Sequence, residues 1–121
     1  MKLQIEIDKD RPEPFYYQIE EQVKALIVSG YFPADKTLPS IRSLAGDLGC
    51  SVITIRRAYQ NLEQQNYIKT YHGKGSYALE VMREKSKEKA VYDTFWQAVK
   101  TARQHQYTDS EIKQLINIFL R

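Results

Sequence analysis

The sequence predicts a mainly α fold with one small β element, and three observations carry that expectation. Apolar residues recur three and four apart through much of the chain, as they do on one face of a helix. Ser40 and Ser51 each stand directly before such a run, with Gly49 between them, so two short helices meet at a tight turn. The stretch YHGKGSY (Tyr71–Tyr77) sets turn-forming residues between strand-forming ends, the pattern of a single hairpin.

From the N-terminus, Leu3, Ile5 and Ile7 alternate with Lys2, Gln4 and Glu6, which predicts a short half-buried strand. Pro12 and Pro14 interrupt it. From about Pro14 the apolar positions Tyr16, Ile19, Val23, Leu26 and Ile27 predict a helix that Gly30 ends and Pro33 keeps from resuming. Ser40 caps a helix with Ile41, Leu44, Ala45 and Leu48 inward. Ser51 caps the next, with Ile55, Ala58, Tyr59 and Leu62 inward. Tyr67–Tyr71 and Ser76–Leu79 supply the hairpin strands. The run REKSKEK (residues 83–89) is charged except at Ser86 and is expected to be an exposed helical stretch or a linker. Beyond it, Val91, Phe95, Ala98, Val99 and Ala102 form one helical stripe, with Tyr92 and Trp96 beside it. TDSE (Thr108–Glu111) is a capping box before Ile112, Leu115, Ile116, Phe119 and Leu120.

The middle of this series predicts a helix-turn-helix. Two helices that cross steeply need a small residue where they touch, which Ala45 supplies. They also need a residue tolerant of positive φ four positions later, and Gly49 meets that need. Leu44, Leu48, Cys50, Ile55 and Ala58 then fill the space between them, with Cys50 as a small buried hydrophobe. The hairpin directly after makes the unit a winged helix-turn-helix, assigned to residues 1–80, with a helical extension over residues 81–121. The glycine-lysine stretch is not a nucleotide-binding P-loop. The first glycine of that motif would have to fall at Ile68, and Gly75 stands where a serine or threonine is required. As a wing tip the same residues suit a duplex. Gly73 lets the backbone approach, Lys74 meets a phosphate as a point charge, and His72 reaches toward a groove.

On the second helix of the pair, placing Ile55, Ala58, Tyr59 and Leu62 inward leaves Val52, Ile53, Thr54, Arg56 and Arg57 outward. Arg56 is the candidate for a base edge, and Arg42, Ser51 and Thr54 for phosphates. Arg57 suits either an edge contact or a surface ion pair. Val52 and Ile53 cannot donate hydrogen bonds to guanine and are suited instead to a thymine methyl.

The segment LPSIRSLAGDLGCSVITIRRAYQNLEQQNYIKTYHGKGSY resembles the DNA-binding domain of the GntR family of bacterial transcription regulators. The resemblance rests on LPS-x-R-x-LA, the T-x-R-x-AY-x-x-LE run and the HGKG tip, and covers about residues 10–80. SVITIRRAY and the short C-terminal extension look most like the YtrA-type subfamily. Carried over residue by residue, the resemblance implies DNA contacts at Arg42, at Ser51, Val52, Ile53, Thr54 and Arg56, and at His72 and Gly73. Many family members have arginine where this chain has Val52, so an operator sequence does not transfer directly.

For the C-terminal stripes three outcomes compete: folding back on the first domain, forming a ligand pocket, or pairing with a second copy. Pairing is the favoured one, through Phe95, Val99, Ile112, Leu115, Ile116 and Phe119. The resemblance to YtrA-type regulators points the same way. A small aromatic cleft near Tyr92, Trp96 and Phe119 is the candidate place for an effector of unknown identity.

Composition agrees. Net charge is +3, yet residues 1–35 hold four Lys/Arg against seven Asp/Glu, whereas residues 36–79 hold six against two. Such a basic middle segment suits an anionic partner. The expected protein is therefore a sequence-specific DNA-binding regulator, a homodimeric repressor of a palindromic operator in the cytoplasm, needing no cofactor. A winged-helix module that binds protein is the alternative. The only histidines are His72 and His105 and the only cysteine is Cys50, with no metal-ligand cluster or nucleophile motif, so an enzyme is not expected.

Overall fold

The computed structural model describes residues 3–80 and 86–120; Lys2 of the expected N-terminal strand and residues 83–85 of the charged run lie outside the described residues. Helix α1 (Phe15–Val28) begins at Pro14, whose φ of −57° is already close to helical. It stops at Gly30, which takes φ +81°. The N–H of Phe32 then donates to the Leu26 carbonyl, and this return buries the Phe32 ring. Helix α2 (Ile41–Leu48) and helix α3 (Val52–Gln64) follow, joined through Gly49 at φ +67°. Strands β1 (Ile68–Tyr71) and β2 (Gly75–Ala78) pair antiparallel, with Ile68 opposite Ala78 and Tyr71 opposite Gly75.

The core lies where α1 packs against α3. Ile19, Val23, Ile55, Ala58 and Leu62 are fully buried there. Each of the large aliphatics is worth about 1.5–3 kcal/mol of transfer free energy. Ala58, with no bulk, lets the helices approach. Two polar contacts fix their rotation: Asn61 Nδ2 donates to Glu20 Oε2 at 2.9 Å, and the Arg57 guanidinium lies 4.0 Å from the Tyr16 ring centroid. Tyr59 donates its hydroxyl to the Pro39 carbonyl at 2.7 Å, which holds the entry to α2 against α3.

The N-terminal segment is extended, but it is not a strand of a sheet as the alternation predicts. The alternation itself is correct, since Leu3 and Ile5 are buried and Gln4 and Glu6 exposed. Two glutamine side chains of α1 take the place of a partner strand. Gln22 accepts from the Glu6 N–H at 2.9 Å and donates to the Glu6 carbonyl at 2.6 Å. Gln18 does the same for Asp8, at 2.8 and 3.1 Å. A primary amide carries one acceptor and two donors, so it reproduces the pairing of one ladder residue. Gln18 is buried, and its spare N–H is used on the Glu13 carbonyl at 2.9 Å.

Helix α4 (Ser86–Gln104) leans on α1, and helix α5 (Asp109–Phe119) follows a turn clasped by the Arg103–Asp109 ion pair at 3.1 Å. Thr108 and Glu111 make both arms of the expected capping box. The face of α4 turned toward the rest of the chain differs from the expected stripe. Tyr92 and Trp96 are half-buried, as are Val99 and Ala102 of the stripe, with the Trp96 ring tilted by 59° against Tyr31 at 4.4 Å, while Val91, Phe95 and Ala98 are exposed. Tyr and Trp can bury ring surface while keeping a hydroxyl or indole N–H wet, which suits a partly covered surface. At the base of the wing the Tyr67 hydroxyl donates to Glu88 of α4 at 3.4 Å, and Lys24 of α1 sits 5.4 Å from the same ring.

Candidate nucleic-acid interface

Three elements position the predicted contact residues. Ser40 accepts the Ser43 N–H at 3.1 Å and starts α2, leaving Arg42 exposed on its first turn. Ser51 accepts the Thr54 N–H at 3.2 Å and starts α3, and the two hydroxyls share a further bond of 2.8 Å. That pair leaves the first N–H groups of α3 outside the helical ladder, where a phosphate oxygen is favoured. Along α3, Ile55, Ala58, Tyr59 and Leu62 face the core, as predicted from their spacing, while Ile53 and Arg56 are exposed.

Three of the expected outward residues behave differently, the first being Thr54, which is half-buried with its hydroxyl bonded to that of Ser51. Val52 is half-buried and packs against the core. As the first helical residue its side chain leans back toward the turn, beside Leu48 and Cys50. Arg57 is exposed, but its guanidinium is held over the Tyr16 ring, so it stands at the edge of the α1–α3 seam. Cys50 is half-buried against the core, and desolvation pushes its thiol up from the ordinary value, in keeping with a packing role.

The wing tip is a three-residue connection, His72-Gly73-Lys74, closed by the Lys74 N–H donating to the Tyr71 carbonyl at 2.9 Å. Gly73 takes φ +76°, and a Cβ built there meets nothing within 4 Å, so glycine is needed for the backbone angle and not for space. His72, Gly73 and Lys74 are all exposed. The free edge of β2 is covered by the segment that leads into α2. Asp35 donates to the Ala78 carbonyl, Leu38 to that of Ser76, and Ala78 to that of Lys36, at 2.8–3.0 Å. On the β1 side, Glu63 of α3 accepts the Thr70 N–H at 2.9 Å. Wing, α2 and α3 are therefore bonded into one frame.

Among the described residues the ion pairs involve Arg11, Lys24, Lys89 and Arg103. Arg42, Arg56, Lys69 and Lys74 make none, and neither do Lys9, Lys36, Arg57, Lys100 and Lys113, so it is the shared frame of α2, α3 and wing that groups the four. Lys69 and Tyr71 are contact candidates that sequence reasoning overlooked. Both are exposed on β1, and the period of two sets them on one face of the wing, beside its tip. That signal was present in the residues between Tyr67 and Tyr71.

On the C-terminal side, Ile112 is buried and Val99 half-buried, and both line one cleft with Leu3 and Ile5 of the N-terminal segment. Phe95 (55% exposed), Leu115, Ile116 and Phe119 (85% exposed) remain outward, joined by Ile118 and Leu120. The cleft expected near Tyr92, Trp96 and Phe119 is a recess of about 190 Å³ lined by Tyr92, Trp96, Phe95 and Val99 with Ala25, Leu26 and Ser29 of α1; Phe119 is not among its walls. No helix among the described residues is long and apolar enough to cross a membrane.

Comparison with known proteins places this geometry in a family. The model of the bacterial regulatory proteins of the gntR family matches residues 15–77, which run from α1 to the returning strand of the wing. The transcriptional repressor YtrA of Bacillus subtilis (strain 168) is 37% identical over 76 residues, covering 63% of this chain and 58% of that protein. The chain spans less than two thirds of the length of the relatives it matches. Among solved structures, YtrA from Sulfolobus acidocaldarius, a GntR-family transcription factor, superposes with a TM-score of 0.59 at 29% identity, covering 96% of both chains. The DNA-binding domain of AraR in complex with operator ORX1 superposes with a TM-score of 0.56 at 25% identity, over 64% of this chain and 98% of that one. With five helices and a two-stranded wing in the expected order among the described residues, the chain belongs to the GntR family of bacterial regulatory proteins and stands beside its YtrA-type members.

Proposed function

We propose that the chain is a sequence-specific DNA-binding transcription regulator, a homodimeric repressor that engages a palindromic operator. Helix α3 lies in the major groove, with Arg56 on a base edge and Arg42, Ser51 and Thr54 on phosphates. The wing grips the adjacent backbone through His72, Gly73 and Lys74, with Lys69 and Tyr71 behind them. Phe95, Leu115, Ile116 and Phe119 pair with a second copy, which doubles the contacts and sets the half-site spacing. The organisation is that of a DNA-binding domain over residues 1–80 and a dimerising extension over residues 81–121, in a protein that works in the cytoplasm.

The observation that carries this reading is the set of exposed cations, Arg42, Arg56, Lys69 and Lys74, gathered on one bonded frame with no ion-pair partner among the described residues. The operator complex of the structurally similar AraR domain supports it. The test is a mobility-shift titration on the DNA upstream of the protein's own gene, with competitor duplex, at several salt concentrations. Affinity should fall by about 0.9 log units per log unit of salt for each phosphate neutralised. Lys74→Ala should weaken all duplexes alike and lower that slope by about one such contact. Binding that ignores both salt and Lys74 would transfer the surface to a protein partner.

A further inference from the structure

Ile53 is 74% exposed, while the other large aliphatics of α3 are buried or, for Val52, packed against the core. Side chains of comparable apolar exposure lie on α4 and α5, where several occur together. On α3 the isoleucine stands alone among polar and cationic neighbours. A β-branched residue near a helix start adds little helix propensity, and its exposed surface contributes nothing to the fold of the single chain. Its surroundings identify an occupant. Arg56 lies one turn further along the same face, and neither Arg56 nor Arg42 has an ion-pair partner among the described residues. A lone apolar group set among cations matches a surface that is anionic overall yet carries isolated methyl groups. The major groove of DNA is such a surface, and the thymine 5-methyl is its apolar element.

We infer that Ile53 reads the 5-methyl group of a thymine in each operator half-site, an inference that rests on the DNA-binding reading above. Three residues of helix span about 4.5 Å. Successive bases on one strand are about 3.4 Å apart, so the thymine lies within about two base pairs of the base that Arg56 contacts. Val52 takes no part, because its side chain is committed to the core. The recognised half-site thus carries an A·T pair with a defined strand orientation, read through shape and apolar contact and not through hydrogen bonds.

The test begins with selection of binding sequences from a randomised duplex pool by the wild-type chain. Synthetic duplexes of the enriched sequence then carry deoxyuridine in place of the thymine in question, which removes the methyl group and nothing else. The wild type should bind the uracil duplex about three- to tenfold more weakly. Ile53→Ala should discriminate by under about twofold, and Ile53→Leu should keep part of the preference. A half-site with no required thymine near the Arg56 position overturns the inference while leaving the DNA-binding reading intact. So does a wild-type chain indifferent to uracil, a result that needs no variant. A pool that enriches no sequence overturns both, and points Ile53 toward a protein partner.

Discussion

Helices α3 and α5 are of similar length, 13 and 11 residues, and each starts with a hydroxyl side chain that accepts a first-turn N–H. Each buries one apolar side and shows the other to solvent. What they show differs. Apart from Ile53, α3 exposes arginines and polar side chains; α5 exposes Leu115, Ile116, Ile118 and Phe119. The buried side differs as well. Ile55, Ala58, Tyr59 and Leu62 of α3 lie in a core closed by α1 and α2, whereas α5 buries only Ile112. A helix that is fully stabilised within its chain can devote its outer face to a charged partner. One that is half covered retains apolar surface that favours association with another chain.

The strongest way to break this contrast is to remove the support of α3. Leu62→Ala leaves a cavity in a fully buried position and should cost about 2–5 kcal/mol in urea unfolding, with DNA affinity falling as folded protein is lost. Arg56→Ala should do the reverse: unchanged unfolding, with about 1–3 kcal/mol lost on the selected duplex and a relaxed preference at one position. If Arg56→Ala unfolds the protein instead, the exposed face of α3 is structural and the contrast fails. Phe119→Ser sharpens the other half of the comparison. It should raise the dimer dissociation constant about tenfold in sedimentation, with the single chain as stable as before. An unchanged sedimentation profile would remove that face from the interface.

The smallest expected effect concerns the contact between the two regions. Burial, aided by the Glu88 carboxylate, pushes the Tyr67 hydroxyl from 10.0 up to about 12. The fold thus favours the protonated phenol, and its share of stability is complete below about pH 10 and lost as pH climbs toward 12. Alkaline unfolding followed by tyrosinate absorbance should show a decline across that window, partly flattened in Tyr67→Phe. Tyr59, which burial raises further still, and Tyr92, also raised by burial, supply the remainder. No change in Tyr67→Phe would mean that the wing base and α4 are not coupled through this hydroxyl.

Much of the molecule could be derived from residues close together in the chain. Ser40, Ser51 and Thr108 start helices where expected, and Gly30 and Gly49 end them, because caps and positive φ are settled within a few residues. The wing was legible for the same reason, its glycine-containing tip lying between two stretches of strand-forming residues. The exposed positions of Arg42 and Arg56 followed from where they sit on capped helices, and those of His72, Gly73 and Lys74 from the turn chemistry of the tip.

Tertiary structure decided what local patterns could not. Leu3 and Ile5 were correctly read as buried, but their partners are the amides of Gln18 and Gln22, an arrangement no periodicity encodes because it joins residues 10–16 positions apart. Val52 is drawn partly against the core rather than left outward. On α4, Tyr92 and Trp96 took the inner face once Tyr31 and the edge of α1 were there to meet them, and Phe95 was left outside. By itself the sequence determined where helices begin, end and carry charge, since these depend on bonds within a turn or two. Which apolar residues are covered depended on which distant surfaces arrive opposite them, and that is settled only when the whole chain packs.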